Sequence, residues 1–122
     1  MTSVLLVDDS ATVRASIQTV LEENGHVVRT AEGGQDALDL LSGWVPDIVL
    51  TDLNMPQMDG LEFLRRIRGT PALRFVPVLV LTSESHRTPR DEAKAAGATG
   101  WIMKPVKVGD LLEVIRTVVP AP

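Results

Sequence analysis

The chain contains no cysteine and no tyrosine, and its aromatic side chains are two tryptophans and two phenylalanines. Without cysteine there are no disulfides, no thiol nucleophile and no thiolate metal site. No apolar run approaches the roughly 20 residues that a helix needs to cross a bilayer. A basic balance is lacking too. The 16 acidic and 12 basic side chains leave a formal charge of −4, which argues against a nucleic-acid surface. Met1-Thr2-Ser3 leads straight into a strand-like run with no leader pattern. A cytoplasmic protein without membrane insertion is therefore expected. No internal repeat, low-complexity tract or linker stands out.

What is present is an alternation. The 122 residues suit one domain, 1–122, and a chain of this size buries about two-thirds of its unfolded surface. Residues 120–122, Pro-Ala-Pro, read as a tail or the start of a linker. Strand-like runs fall at Val4–Val7, Val27–Ala31, Ile48–Thr51, Val78–Leu81 and Gly100–Met103. Four of them are nearly all apolar, the pattern of strands covered on both faces. Helical stripes lie between: Val13, Ile17, Val20 and Leu21; then Ala37, Leu38 and Leu41; then Leu61, Leu64 and Ile67; finally Leu111, Leu112, Ile115, Val118 and Val119. The order is βα five times over, which implies a parallel sheet with helices on both faces.

The fourth helix is the exception. Thr88-Pro89-Arg90-Asp91 carries a start signal of N-cap, proline and acidic first turn. Yet from Ser83 to Thr99 there is no Val, Ile, Leu, Met or aromatic residue, only alanines to face a sheet. Helices in proteins are held mostly by a buried face, so this one is expected to dock most loosely.

Polar residues close the strands as a set. Asp8-Asp9 follow the first, Asp52 the third, Thr82 the fourth and Lys104 the fifth. In an open α/β sheet these carboxyl ends form the ligand crevice. Two carboxylates ~5 Å apart repel by about 3 kcal/mol at an effective dielectric near 20, so the cluster calls for a cation. An all-oxygen donor set favours a hard divalent ion, Mg²⁺ above others. A metal and a lysine aimed at one carboxylate suit phosphoryl transfer, which depends on positioning and charge neutralisation. The carboxylate itself can be the nucleophile.

Six segments carry a resemblance: Asp8-Asp9, Thr51-Asp52-Leu53-Asn54-Met55-Pro56, Met58-Asp59-Gly60, Leu81-Thr82, Ala96-Gly97-Ala98-Thr99-Gly100 and Lys104-Pro105. In this order, with 43, 30 and 22 positions from Asp9 to Asp52, Thr82 and Lys104 in turn, the chain resembles the receiver domain of bacterial two-component response regulators, single-domain chemotaxis regulators in particular. The resemblance implies a flavodoxin-like (βα)5 fold, a doubly wound five-stranded parallel sheet of order 2-1-3-4-5. It implies Asp52 as phosphoacceptor and Mg²⁺ as cofactor. Asp9 and Asp52 are then direct ligands, Asp8 acts through water, and Asn54 through its backbone carbonyl. Thr82 and Lys104 sense the phosphate, and Trp101 occupies the switch-aromatic position. Asn54 and Glu84 match fast-hydrolysing members. A cis Lys104-Pro105 bond is also expected.

The implied partners are a sensor histidine kinase or histidine phosphotransfer domain and a downstream protein reached through helix four, strand five and helix five. No direct nucleic-acid contact is expected, and the protein is read as a monomer or weak dimer, not as a classical enzyme. Two other readings compete. An aspartyl-phosphate hydrolase would want an acid two positions after its nucleophile, where Asn54 stands. A phosphate-independent docking module would not need the intact acidic set. A receiver within a larger regulator or hybrid kinase fits the same residues. His26 and His86 read as surface residues, and Gly60, Gly97 and Gly100 as turn and cap positions.

Overall fold

The computed structural model describes residues 2–53, 55, 57–82 and 89–119, of which 89–91 through the backbone. Five strands alternate with five helices: β1 (Ser3–Val7), α1 (Ala11–Glu23), β2 (Val27–Ala31), α2 (Gly34–Leu41), β3 (Ile48–Asp52), α3 (Gly60–Gly69), β4 (Val78–Thr82), α4 (Pro89–Ala96), β5 (Gly100–Met103) and α5 (Val108–Val118). A short 3-10 turn, Pro71–Leu73, precedes β4. The sheet is wholly parallel in the order β2-β1-β3-β4-β5. The expected fold class is therefore found.

The apolar strands divide their side chains between two layers, because successive residues point to opposite faces. Leu5, Val7, Val49 and Val78 meet Phe63, Leu64 and Ile67 of α3 and Ala37 and Leu41 of α2. Val4, Leu6, Ile48, Leu50, Leu79 and Leu81 meet Ile17 and Leu21 of α1 and Leu111 and Ile115 of α5. The central strands β3 and β4 are buried along their whole length.

Three expectations change. β5 lies at the edge, as the order 2-1-3-4-5 implies, but it is not covered on both faces, and its Trp101 is 40 % exposed. An edge strand has one neighbour to hide behind, so its apolar composition alone overstated its burial. His26 is partly buried rather than on the surface, and its Nδ1 is buried without a hydrogen-bond partner among the described residues. Gly60 is no mere turn residue. It opens α3, and a Cβ there would stand 2.5 Å from the Asp52 carbonyl oxygen. Its bare backbone lets α3 start directly against the end of β3, where Gly60 N–H donates to the Leu53 carbonyl at 2.9 Å. Gly97 does serve as the cap after α4, with φ of 107°. The Thr88 cap, Glu84 and His86 lie outside the described residues.

Candidate functional site

Register brings the polar residues to one level. Val7 pairs with Thr51, Asp52 with Leu81, and Thr82 with Met103. Asp8 therefore follows β1 beside Asp52, and Lys104 follows β5 beside Thr82. The Lys104 N–H donates to the Thr82 carbonyl at 2.6 Å, and the Lys104-Pro105 peptide bond is cis, as expected.

The carboxylates of Asp8, Asp9 and Asp52 offer oxygens within 4.8 Å of one another. Asp8 and Asp52 are buried and Asp9 is exposed. Buried carboxylates require partners, and one ammonium serves both: Lys104 Nζ lies 3.2 Å from Asp8 Oδ2 and 3.2 Å from Asp52 Oδ2. Burial alone would push the Lys104 pKa down. The charges of Asp52 and Asp8, with the hydrogen bonds to them, outweigh it and hold the ammonium above its ordinary value. Asp8 is further tied by Ser10 N–H, which donates to Oδ1 at 2.9 Å.

The donor set fits a hard divalent cation. It is all oxygen, three carboxylates face one ammonium, and the exposed Asp9 leaves the cluster open to solvent. Thr82, 3 % exposed, ends β4 at the same rim. The structure thus gathers Asp8, Asp9, Asp52, Thr82 and Lys104, and it places Trp101 on β5, three residues before the lysine. Asn54 lies outside the described residues.

Two residues escaped the sequence reading. Ser10 caps α1, its hydroxyl accepting from Val13 N–H at 3.3 Å. A serine directly before the Val13 stripe was the available signal. Arg14 Nη1 donates to the Asp8 carbonyl at 2.6 Å. Its signal was subtler: a cation in the first turn opposes the helix dipole and needs some other reason to be there.

Known proteins agree with this geometry. Residues 4–116 match the family model described as response regulator receiver domain. A response regulator named MprA from Mycolicibacterium vanbaalenii is 39 % identical over 113 residues, covering 93 % of this chain and 48 % of that protein. The chain thus spans about half the length of the curated relatives it matches. The chemotaxis response regulator CheY4 of Vibrio cholerae superposes with a TM-score of 0.91 at 38 % identity, covering 97 % of this chain and 98 % of that one. The receiver domain of sensor histidine kinase PA1611 from Pseudomonas aeruginosa, solved with a magnesium ion in its active site cleft, superposes with a TM-score of 0.91 at 26 % identity over 98 % of both chains. With five parallel strands in the order 2-1-3-4-5 and the acidic crevice at their carboxyl ends, this chain belongs to the response regulator receiver domain family of two-component systems.

Proposed function

We propose that Asp52 accepts a phosphoryl group from a phosphohistidine of a sensor kinase or phosphotransfer domain, with Mg²⁺ held by Asp9 and Asp52, by the Asn54 carbonyl, and by Asp8 through water. The observation that carries this is the Lys104 ammonium, 3.2 Å from both Asp8 and Asp52 beside the exposed Asp9. A carboxylate oxygen of Asp52 attacks phosphorus, a P–O bond forms and the P–N bond breaks. The bonding pair goes to the donor imidazole, which takes up a proton. Lys104 neutralises charge on the transferred group, and the Thr82 hydroxyl donates to one of its oxygens. When bound, Mg²⁺ supplies the second positive centre that charge neutralisation requires. The chain turns over only its own acyl phosphate, so it is a switch rather than a classical enzyme. A cytoplasmic site of action follows from this chemistry, and no described helix is long and apolar enough to cross a membrane.

The output is a changed α4–β5–α5 face. Drawing the Thr82 hydroxyl toward Asp52 vacates space that Trp101 enters. One or two hydrogen bonds to a charged phosphate, at ~1.5–3 kcal/mol each, suffice for a tenfold shift between two states. The downstream partner is a protein that reads this face. The additional length of the curated relatives also suits a receiver that regulates an attached output domain.

Beryllofluoride with Mg²⁺ tests the site. It should raise the melting temperature of the parent, and Asp52→Asn should abolish that gain. An equal gain in Asp52→Asn overturns the phosphoacceptor assignment. In a Trp44→Phe background, Trp101 is the sole tryptophan. Its emission should change with beryllofluoride, and unmoved emission together with flat amide exchange in α4 removes that face as the output.

A further inference from the structure

The three carboxylates are not equally held. Asp8 has every polar group engaged. Its N–H donates to the Ala31 carbonyl at 3.2 Å, Oδ1 accepts from Ser10 N–H, Oδ2 accepts from Lys104, and its carbonyl accepts from Arg14 Nη1 at 2.6 Å. Asp9 is exposed, and its carboxylate has no hydrogen-bond partner among the described residues. Its place at the site is therefore set through the backbone.

Among the described residues two side-chain contacts anchor that backbone: the Asp8 carboxylate closes a turn over Asp9 onto Ser10 N–H, and a guanidinium takes the Asp8 carbonyl. The Asp8 carbonyl belongs to the peptide unit joining Asp8 to Asp9. The unit is planar, so the direction of the carbonyl fixes the plane and the position of the Asp9 Cα. Among the described residues no backbone N–H donates to this carbonyl. The guanidinium of Arg14 takes it instead, from the first turn of α1, with its side chain 16 % exposed. The ion pair of Arg14 with Glu32 is a lesser matter. It spans 3.9 Å to a side chain that is 77 % exposed, and such surface pairs contribute little.

We infer that Arg14 is a positioning residue for cation capture: by gripping the Asp8 carbonyl it orients the Asp8–Asp9 peptide and aims Asp9 at the site. The inference rests on the acidic cluster being a divalent-cation site. Charge and position predict opposite signs here, which makes the role testable. A guanidinium beside an acidic cluster repels a divalent cation, so if its charge were all that mattered, removing it would tighten binding. If it positions Asp9, removing it weakens binding. Groups that orient metal ligands without touching the metal commonly contribute 10–100-fold to affinity.

Titration of the full chain with MgCl2 by isothermal calorimetry, in parent, Arg14→Met, Arg14→Lys and Glu32→Gln, decides the matter. Melting temperatures in EDTA are recorded for each variant. Arg14→Met should weaken Mg²⁺ binding about tenfold, with Arg14→Lys in between and Glu32→Gln within twofold of the parent. Parent-like or tighter binding by Arg14→Met overturns the inference and leaves the cation site standing. A lower melting temperature with unchanged affinity also overturns it, because the contact would then be structural only. If the parent itself binds no Mg²⁺, the cation site fails and the role of Arg14 falls with it.

Discussion

Helices α3 and α4 pack on the same face of the sheet, and they are held in different ways. α3 buries Phe63, Leu64 and Ile67 completely. Its N-cap Asp59 accepts from Glu62 N–H at 2.8 Å, and Arg66 and Arg68 sit in its last turn. Among its described side chains α4 buries only Ala93, which meets Leu53 and Val80. Its described hydrogen bonds to neighbouring elements lie at its C-terminal end. Ala98 N–H donates to the Ala93 carbonyl at 2.9 Å, and Thr99 N–H to the Val78 carbonyl at 2.8 Å. Arg68 Nε donates to the Gly97 carbonyl at 2.9 Å, while its Nη1 reaches the carbonyls of Val76 and Arg74 at 2.7 and 3.1 Å. A helix anchored by large side chains resists displacement along its length. The described hydrogen bonds that tie α4 to its surroundings are instead gathered at its C-terminus.

Packing gives the largest contrast. Phe63→Ala should cost about 3–5 kcal/mol through lost burial and a cavity, whereas Ala93→Gly should cost about 1 kcal/mol through helix propensity. Urea denaturation compares the two. Equal losses would mean that α4 is docked as firmly as α3.

The clamp comes next. Arg68→Met strips three carbonyls of a donor and should cost about 2 kcal/mol, within the usual penalty for unsatisfied polar groups. Its mark is local: amide exchange should quicken at Ala93–Gly97 and stay slow at Phe63–Ile67. Uniform quickening would show that Arg68 stabilises the whole domain rather than the end of α4.

Charge crowding should matter less. Lys104 already compensates Asp8 and Asp52, so Asp9 is the carboxylate left without a counter-charge. Asp9→Asn should stabilise the metal-free protein by about 1 kcal/mol, the Coulomb estimate reduced for solvent exposure. Saturating Mg²⁺ should then favour the parent, and a destabilised variant in EDTA would refute the crowding argument.

The smallest effect is expected far from both helices. Burial lowers the His26 pKa below its ordinary 6.5. The unfolded chain then binds the proton more readily, so this contribution to stability is whole above pH 6.5 and is lost as pH falls through the folded value. His26→Gln should flatten that part of the stability profile, and an unchanged slope would remove His26 as its source.

Much of this was legible in the residues. The apolar runs gave the strands to within a residue or so at each end, because a covered parallel strand has no place for polar side chains. Asp8, Asp9, Asp52, Thr82 and Lys104 stood out as the polar ends of those runs. The weakness of α4 followed from its missing large side chains. Less visible was how far the faces of an edge strand are covered: the run Gly100–Met103 is nearly all apolar, yet its Trp101 is 40 % exposed. His26 was misjudged for a similar reason: its burial depends on neighbours distant in the chain.

The sequence by itself therefore determined the alternation of elements, the chemistry of the site and the contrast between α3 and α4, since each is written in local composition and period. Only the tertiary structure decided the contacts of backbone with distant side chains. Arg14 on the Asp8 carbonyl and Arg68 on the Gly97 carbonyl both use a main-chain oxygen that every residue possesses. Such an acceptor leaves no mark in residue type, so its donor cannot be paired with it until the chain is folded.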